Sequence, residues 1–174
     1  MHGIYQNAHP RVRPASATLR QQTMTAPQTE RWRGHLLTDP TAIHAALGRL
    51  QNVAVVGIKP ADTDAPAFYV PEYAQRAGFT IIPVPVYYPE MTHELGEPVF
   101  RSLREIPVPV DIVQLFRRPA DIPAHLDDIL AIAPKLVWMQ LGIQHDAVAE
   151  SLARAGIDVV QNHCLLVELQ KMGR

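Results

Sequence analysis

Two adjacent arginines, Arg117 and Arg118, follow an apolar run that ends at Phe116 and precede Pro119. Planar guanidinium forks match phosphate oxygens, so an arginine pair at a strand end suits an anion, and Phe116 offers a ring for a planar base. The same pair would equally balance Asp121, Asp127 and Asp128 across a solvated surface. A second cation, Lys59, stands in Gly57-Ile58-Lys59-Pro60, directly after the apolar run Val53 to Val56. Gly57 frees the chain to turn and lets backbone come close to a ligand; Lys59 is either a mobile point charge for a phosphate or a solvated side chain. This loop is neither a G-x-G-x-x-G fingerprint nor a Walker A loop. Gln140 is polar in the otherwise apolar stretch Leu136 to Leu141 and needs a partner, from backbone or ligand. Gly142 ends that stretch.

Nucleophiles and metal ligands are poorly supplied. Asn162-His163-Cys164 sets a histidine beside a cysteine, but neighbours in sequence are not a catalytic pair without geometry. Cys164 reads as a buried structural thiol. The eight histidines are scattered and no spacing resembles a zinc site. No carboxylate pair stands out for hydrolysis. No catalytic residue and no metal ligand is nominated.

The elements that must carry these groups alternate. Val53 to Val56 is a continuous apolar run, the pattern of a strand buried on both faces of a parallel sheet. Further strands are expected over Phe79 to Val86, Val110 to Phe116, Leu136 to Leu141 and Ile157 to Val160. Asp39 and Pro40 open a helix to Leu50, as N-cap and first helical residue. Pro66 to Ala77 is the first crossover, and its helix either starts near Pro71 or kinks there. Helices are also expected over Asp121 to Ala133, His145 to Ala155 and Leu165 to Met172, with Phe100 to Ile106 a turn or short helix. The fold class is α/β: a Rossmann-like three-layer domain with a five-stranded parallel sheet in order 3-2-1-4-5. Crossovers between parallel strands are right-handed. Ligands of such sheets bind at the strands' carboxyl ends, where Gly57, Phe116 to Arg118 and Gly142 all fall.

The bulk composition narrows the partners. A formal net charge of -1 gives no reason to expect nucleic acid or an acidic membrane surface. No apolar run is long enough to span a membrane. One cysteine excludes an intrachain disulfide and suits a reducing, cytoplasmic setting. Residues 1–29 hold five basic or histidine side chains, no acid and three prolines, and are expected to be a disordered leader, with Met24 an alternative start. Residues 30–174 form the domain. A protein partner or a homo-oligomer is left open.

Six stretches in order carry a family likeness: VAVVGIKP (53–60), IPVPVYYPE (82–90), LGEPVFRSLREIP (95–107), VDIVQLFRRP (110–119), KLVWMQLGI (135–143) and VVQNHCL (159–165). Over roughly Leu36 to Lys171 the chain resembles the small bacterial CoA-binding proteins, which are similar to the CoA-binding domain of the succinyl-CoA synthetase α subunit. The resemblance implies non-catalytic binding of coenzyme A or an acyl-CoA. It implies that Gly57, Ile58, Lys59 and Pro60 lie beside the adenosine diphosphate, and that the stretch from Val84 and Pro85 to Tyr88 borders adenine and ribose. Phe116, Arg117 and Arg118 would take phosphate and base, Gly142 would let the pantetheine arm run close to the chain, and Gln140 would meet either backbone or ligand. The family's usual G-A-S loop and V-N-P are replaced here by Gly57-Ile58-Lys59 and Val84-Pro85-Val86. The synthetase's phosphorylated histidine belongs to a domain this chain is too short to contain. Two other readings stand beside this one. An NAD-linked enzyme would need a glycine fingerprint and a ribose-binding acid, and no acid follows the second strand before Glu90. A regulatory or scaffold protein that has lost its ligand would fit the altered loops.

Overall fold

In the computed structural model, which describes residues 28–174, five parallel strands form the central sheet. They are β1 (Asn52–Val56), β2 (Thr80–Val84), β5 (Ile112–Leu115), β6 (Leu136–Gln140) and β7 (Asp158–His163). Two short antiparallel strands, β3 (His93–Glu94) and β4 (Glu97–Pro98), make a hairpin inside what reads as a loop in the sequence. The helices are α1 (Pro40–Leu47), α2 (Pro66–Arg76), α3 (Leu126–Ile132), α4 (Asp146–Arg154) and α5 (Leu165–Lys171). Residues 1–27 of the expected leader, with the alternative start at Met24, lie outside the described residues; its last two residues, Gln28 and Thr29, open a 3-10 helix, Gln28–His35.

Alternation along each strand feeds two cores. Ala54, Val56, Val137 and Met139 join Ile129, Val148 and Leu152 on one face. Val53, Val55, Leu136 and Trp138 join Ile43, Leu47, Val70 and Leu169 on the other. Both faces being covered explains why the strands read as unbroken apolar runs.

The strand order corrects the expectation. The sheet runs β2-β1-β5-β6-β7, which is 2-1-3-4-5 when its five strands are counted in chain order, not 3-2-1-4-5. Pro83 gives one physical reason. A proline cannot donate to a ladder, so it belongs on an edge strand, and the expected order would have put it between two neighbours. Here β2 is the edge, and the Pro83 carbonyl accepts the Phe100 N–H at 2.9 Å. Asp111 gives the other. Its carboxylate accepts the N–H groups of Gln51 and Asn52 at 3.1 and 3.0 Å, which ties the start of β5 directly to β1. The far edge, β7, is met by Leu37, whose N–H reaches the Val159 carbonyl at 2.8 Å.

Three helix expectations shift. α1 opens as expected, with the Asp39 carboxylate accepting from the Ala42 N–H at 2.9 Å, but its α-helical span closes at Leu47. α2 starts at Pro66 and runs through Pro71. The expected helix Asp121 to Ala133 is divided into a 3-10 turn, Pro119–His125, and α3; Pro123 has no N–H with which to continue an α-helix from the turn before it. Among the described residues no helix is long and apolar enough to cross a membrane.

Candidate ligand-binding cleft

The observed order puts the reversal of strand order between β1 and β5, because the chain leaves β1 toward β2 and later returns to β1's other side. Open α/β sheets bind ligands at that switch point. Two of the nominated segments, Gly57 to Pro60 and Phe116 to Arg118, leave the sheet there side by side.

Gly57 is what lets them meet. Its φ is +87°, and a Cβ on it would lie 2.5 Å from the Phe116 carbonyl oxygen and 3.2 Å from the Arg117 Cδ. The close approach is held from both sides: Gly57 N–H to the Val84 carbonyl, and Phe116 N–H to the Val56 carbonyl, each 2.9 Å. Pro71 contributes from a distance. Lacking an N–H, it cannot bond the Ala67 carbonyl one turn back, and that carbonyl instead accepts the Lys59 N–H at 3.3 Å. The loop is thereby pinned to the first turn of α2. That turn has no side-chain cap and begins at Pro66, so its amino end presents partial positive charge.

A cleft of about 400 Å³ opens over these elements. Six nominated residues line it: Lys59, Phe116, Arg117, Arg118, Gln140 and Gly142. Ala65, Pro66, Ala67, Pro119, Leu141 and Ile143 complete it and were not nominated. The other five nominations are placed elsewhere. Gly57 lies behind the cleft as a spacer, Ile58 is buried in the core with Val55 and Val70, and Val84 is buried at the end of β2. Pro60 precedes a 3-10 turn, its carbonyl accepting the Thr63 hydroxyl at 2.7 Å. Pro85 lines a neighbouring cleft with Tyr87, Arg101 and His125. The larger cavity of about 430 Å³, around Arg49, Leu50, Lys135 and Asp158, lies at the strands' amino ends, away from these groups.

The arginines differ sharply. The Arg117 side chain is only 10% exposed and that of Arg118 is 78% exposed. Both share one carboxylate: Arg118 Nε donates to Asp121 Oδ2 at 2.8 Å, and Arg117 Nη2 to the same oxygen at 3.3 Å. The Arg118 hydrogen bond outweighs desolvation and, with the charges of both arginines, holds the Asp121 carboxyl below its ordinary value. The Arg117 guanidinium lies 5.3 Å from the Tyr87 ring centroid, and its Nε is buried without a partner. Two cations on one carboxylate leave charge for a further anion.

Gln140 has found its partners inside the protein. Its Oε1 accepts from Gln114 Nε2 at 3.2 Å and from the Leu165 N–H at 3.3 Å, and its Nε2 donates to Cys164 Sγ at 3.3 Å. Gly142 has φ +80° with open space where a Cβ would stand, and its N–H donates to Asn162 Oδ1 at 2.7 Å. His163 turns away from Cys164: its Nδ1 lies 2.8 Å from the Gln161 carbonyl and its ring meets Trp138 edge-on. His145 is a cap, its Nδ1 accepting from the Val148 N–H at 3.3 Å. Among the described residues no three His, Cys, Asp or Glu side chains gather as metal ligands.

The family described as "CoA binding domain" matches residues 51–170. The uncharacterized protein YneT of Bacillus subtilis is 32% identical over 125 residues, which is 72% of this chain and 90% of that protein. A solved structure from Thermus thermophilus, cell-free ID.343, is 35% identical with a TM-score of 0.71, covering 78% of this chain and 99% of its own. A hypothetical protein from Pyrococcus horikoshii OT3 is 25% identical with a TM-score of 0.70, covering 79% and 94%.

Proposed function

The chain belongs to the CoA-binding domain family, and on that premise we propose that it binds coenzyme A or an acyl-CoA without transforming it. The pyrophosphate sits against Lys59, Arg117, Arg118 and the uncapped start of α2. The pantetheine arm runs over Leu141, Gly142 and Ile143, where the missing Cβ leaves room. The nucleoside lies toward Tyr87. The observation that carries this reading is the shared carboxylate: two guanidinium groups at the switch point divide a single Asp121. Charge-assisted hydrogen bonds from arginine to phosphate are among the stronger polar contacts. The likeness to the succinyl-CoA synthetase α subunit is carried as ligand and fold only. His163 and Cys164 do not pair: the His163 ring meets the Gln161 carbonyl and the Cys164 sulfur meets Gln140. An NAD reading is disfavoured because no acidic side chain lines the cleft at the end of β2.

Titration calorimetry of the purified protein with CoA, with NAD as the control, tests the reading. The expected result is saturable heat with CoA and none with NAD. No heat with CoA at millimolar ligand sinks it.

A further inference from the structure

A second cleft, of about 310 Å³, opens beyond Arg117 and is lined by Pro85, Val86, Tyr87, Pro89, Arg101 and His125. The two clefts adjoin through one contact. Arg117 lines the first, and its guanidinium lies against the ring of Tyr87, which lines the second.

Two side-chain nitrogens at this junction are buried without partners, Arg117 Nε and His125 Nε2. Folded proteins leave few such groups, and each asks for an explanation. Arg101 adds a fixed charge. Its guanidinium donates to the carbonyls of Tyr88 and Pro89 at 3.3 and 2.8 Å, and to that of Met91. Among the described residues no carboxylate pairs with it, whereas Arg104, a turn away, takes Asp128. The backbone therefore holds Arg101 in place without neutralising it. His125 is surrounded by Arg117, Asp121 and Asp128; burial and then Arg117 hold its imidazole below the ordinary value, against the two acids. It is neutral at pH 7 and can offer one ring N–H.

We propose that this second cleft seats a phosphomonoester, the outlying anionic group of the same ligand, with Arg101 supplying charge and His125 a hydrogen bond. Tyr87 and Pro85 then flank the nucleoside that joins this group to the pyrophosphate. The inference rests on the CoA reading above, since CoA carries a 3′-phosphate apart from its pyrophosphate. It makes the chain selective for CoA over dephospho-CoA.

The experiment titrates CoA and dephospho-CoA into the wild-type chain, His125→Asn, Arg101→Met and the double variant. A charged hydrogen bond sets the scale, so wild type is expected to bind CoA about tenfold or more tighter than dephospho-CoA. Each variant should shrink that ratio by weakening CoA alone, and the double variant should bring it near one. Equal binding of the two ligands by wild type overturns the seat. So does an equal loss of both ligands in both single variants, or a ratio that neither variant moves. His125→Asn leaves the Arg101 carbonyl contacts intact, which separates a lost phosphate contact from a disturbed loop. If wild type binds neither ligand, the CoA reading falls and takes the seat with it; dephospho-CoA binding without preference removes the seat alone.

Discussion

Gly57→Ala tests the geometry that brings the two cationic loops together. A methyl on Gly57 would stand 2.5 Å from the Phe116 carbonyl oxygen, and that oxygen is backbone, so no rotamer change relieves it. Holding a non-glycine residue at φ +87° costs about 1–3 kcal/mol by itself. Separating β1 from the end of β5 by most of an ångström would also stretch the Phe116-to-Val56 bond and, if Gly57 moves instead, the Gly57-to-Val84 bond. Each such bond contributes about 0.5–1.5 kcal/mol. The expected total is about 2–5 kcal/mol, read as the change in urea-unfolding free energy at constant m-value. Gly142→Ala is the control. It has a similar φ of +80° but open space at the Cβ position, so it should show only the conformational part, about 1–3 kcal/mol. CoA titration then reads the second consequence: Gly57→Ala displaces Arg117 and should weaken binding along with stability. Equal destabilisation by the two substitutions would falsify the argument from close approach, because only one of them meets backbone.

Further outcomes follow from the same contacts. Arg117→Ala should weaken CoA binding about ten- to hundredfold, the scale of a charge-assisted hydrogen bond. Arg118→Ala, which removes an exposed side chain, should cost binding less and lose its effect at high salt; titration of both in low and high salt checks the asymmetry, and equal salt-insensitive losses would contradict it. Burial raises the Asp111 carboxyl, but the Lys135 ammonium and the Asn52 and Gln51 N–H groups outweigh it and hold the group below its usual value. A depressed carboxyl contributes stability that is present above its unfolded value near 3.9 and lost as pH falls through the lower folded value. Asp111→Ala should therefore cost about 1.5–3 kcal/mol at pH 7, with the gap from wild type closing below about pH 4 in urea titrations; a gap independent of pH would point to packing instead. Cys164 is half-buried and bonded to Gln140, so Cys164→Ala should leave CoA affinity within a few-fold, and the thiol should alkylate slowly in the native state. Rapid labelling that CoA blocks would move Cys164 into the site.

Much of this protein is legible along the chain. Unbroken apolar runs announce strands buried on both faces, because a helix-covered parallel sheet offers them no solvated side. Asp39 with Pro40 marks a helix start because a carboxylate cap and a proline at the first turn satisfy or remove donors that would otherwise be orphaned. The carboxyl-end rule for ligands put Gly57, Phe116, Arg117, Arg118 and Gly142 at the strand ends; all but Gly57 line the cleft, together with Lys59 and Gln140. Strand order was less legible, since five runs that are each buried on both sides carry almost no pairing information. Pro83 was the available signal, and it argued for an edge. In the second cleft the segment after β2 was legible and Pro85 was expected there, but the charged partners Arg101 and His125 had no local signal. Arg101 and His125 lie 24 positions apart in segments that share no pattern, and they line one cleft only after the chain has crossed from β2 to the far side of β1. The sequence by itself determined the five strands of the main sheet and where most of the helices lie between them, because periodicity and capping act within a few residues. The tertiary structure alone decided that the first and third strands of the sheet are neighbours. Gly57 and Arg117 are sixty residues apart, and their contact exists only because β5 pairs with β1.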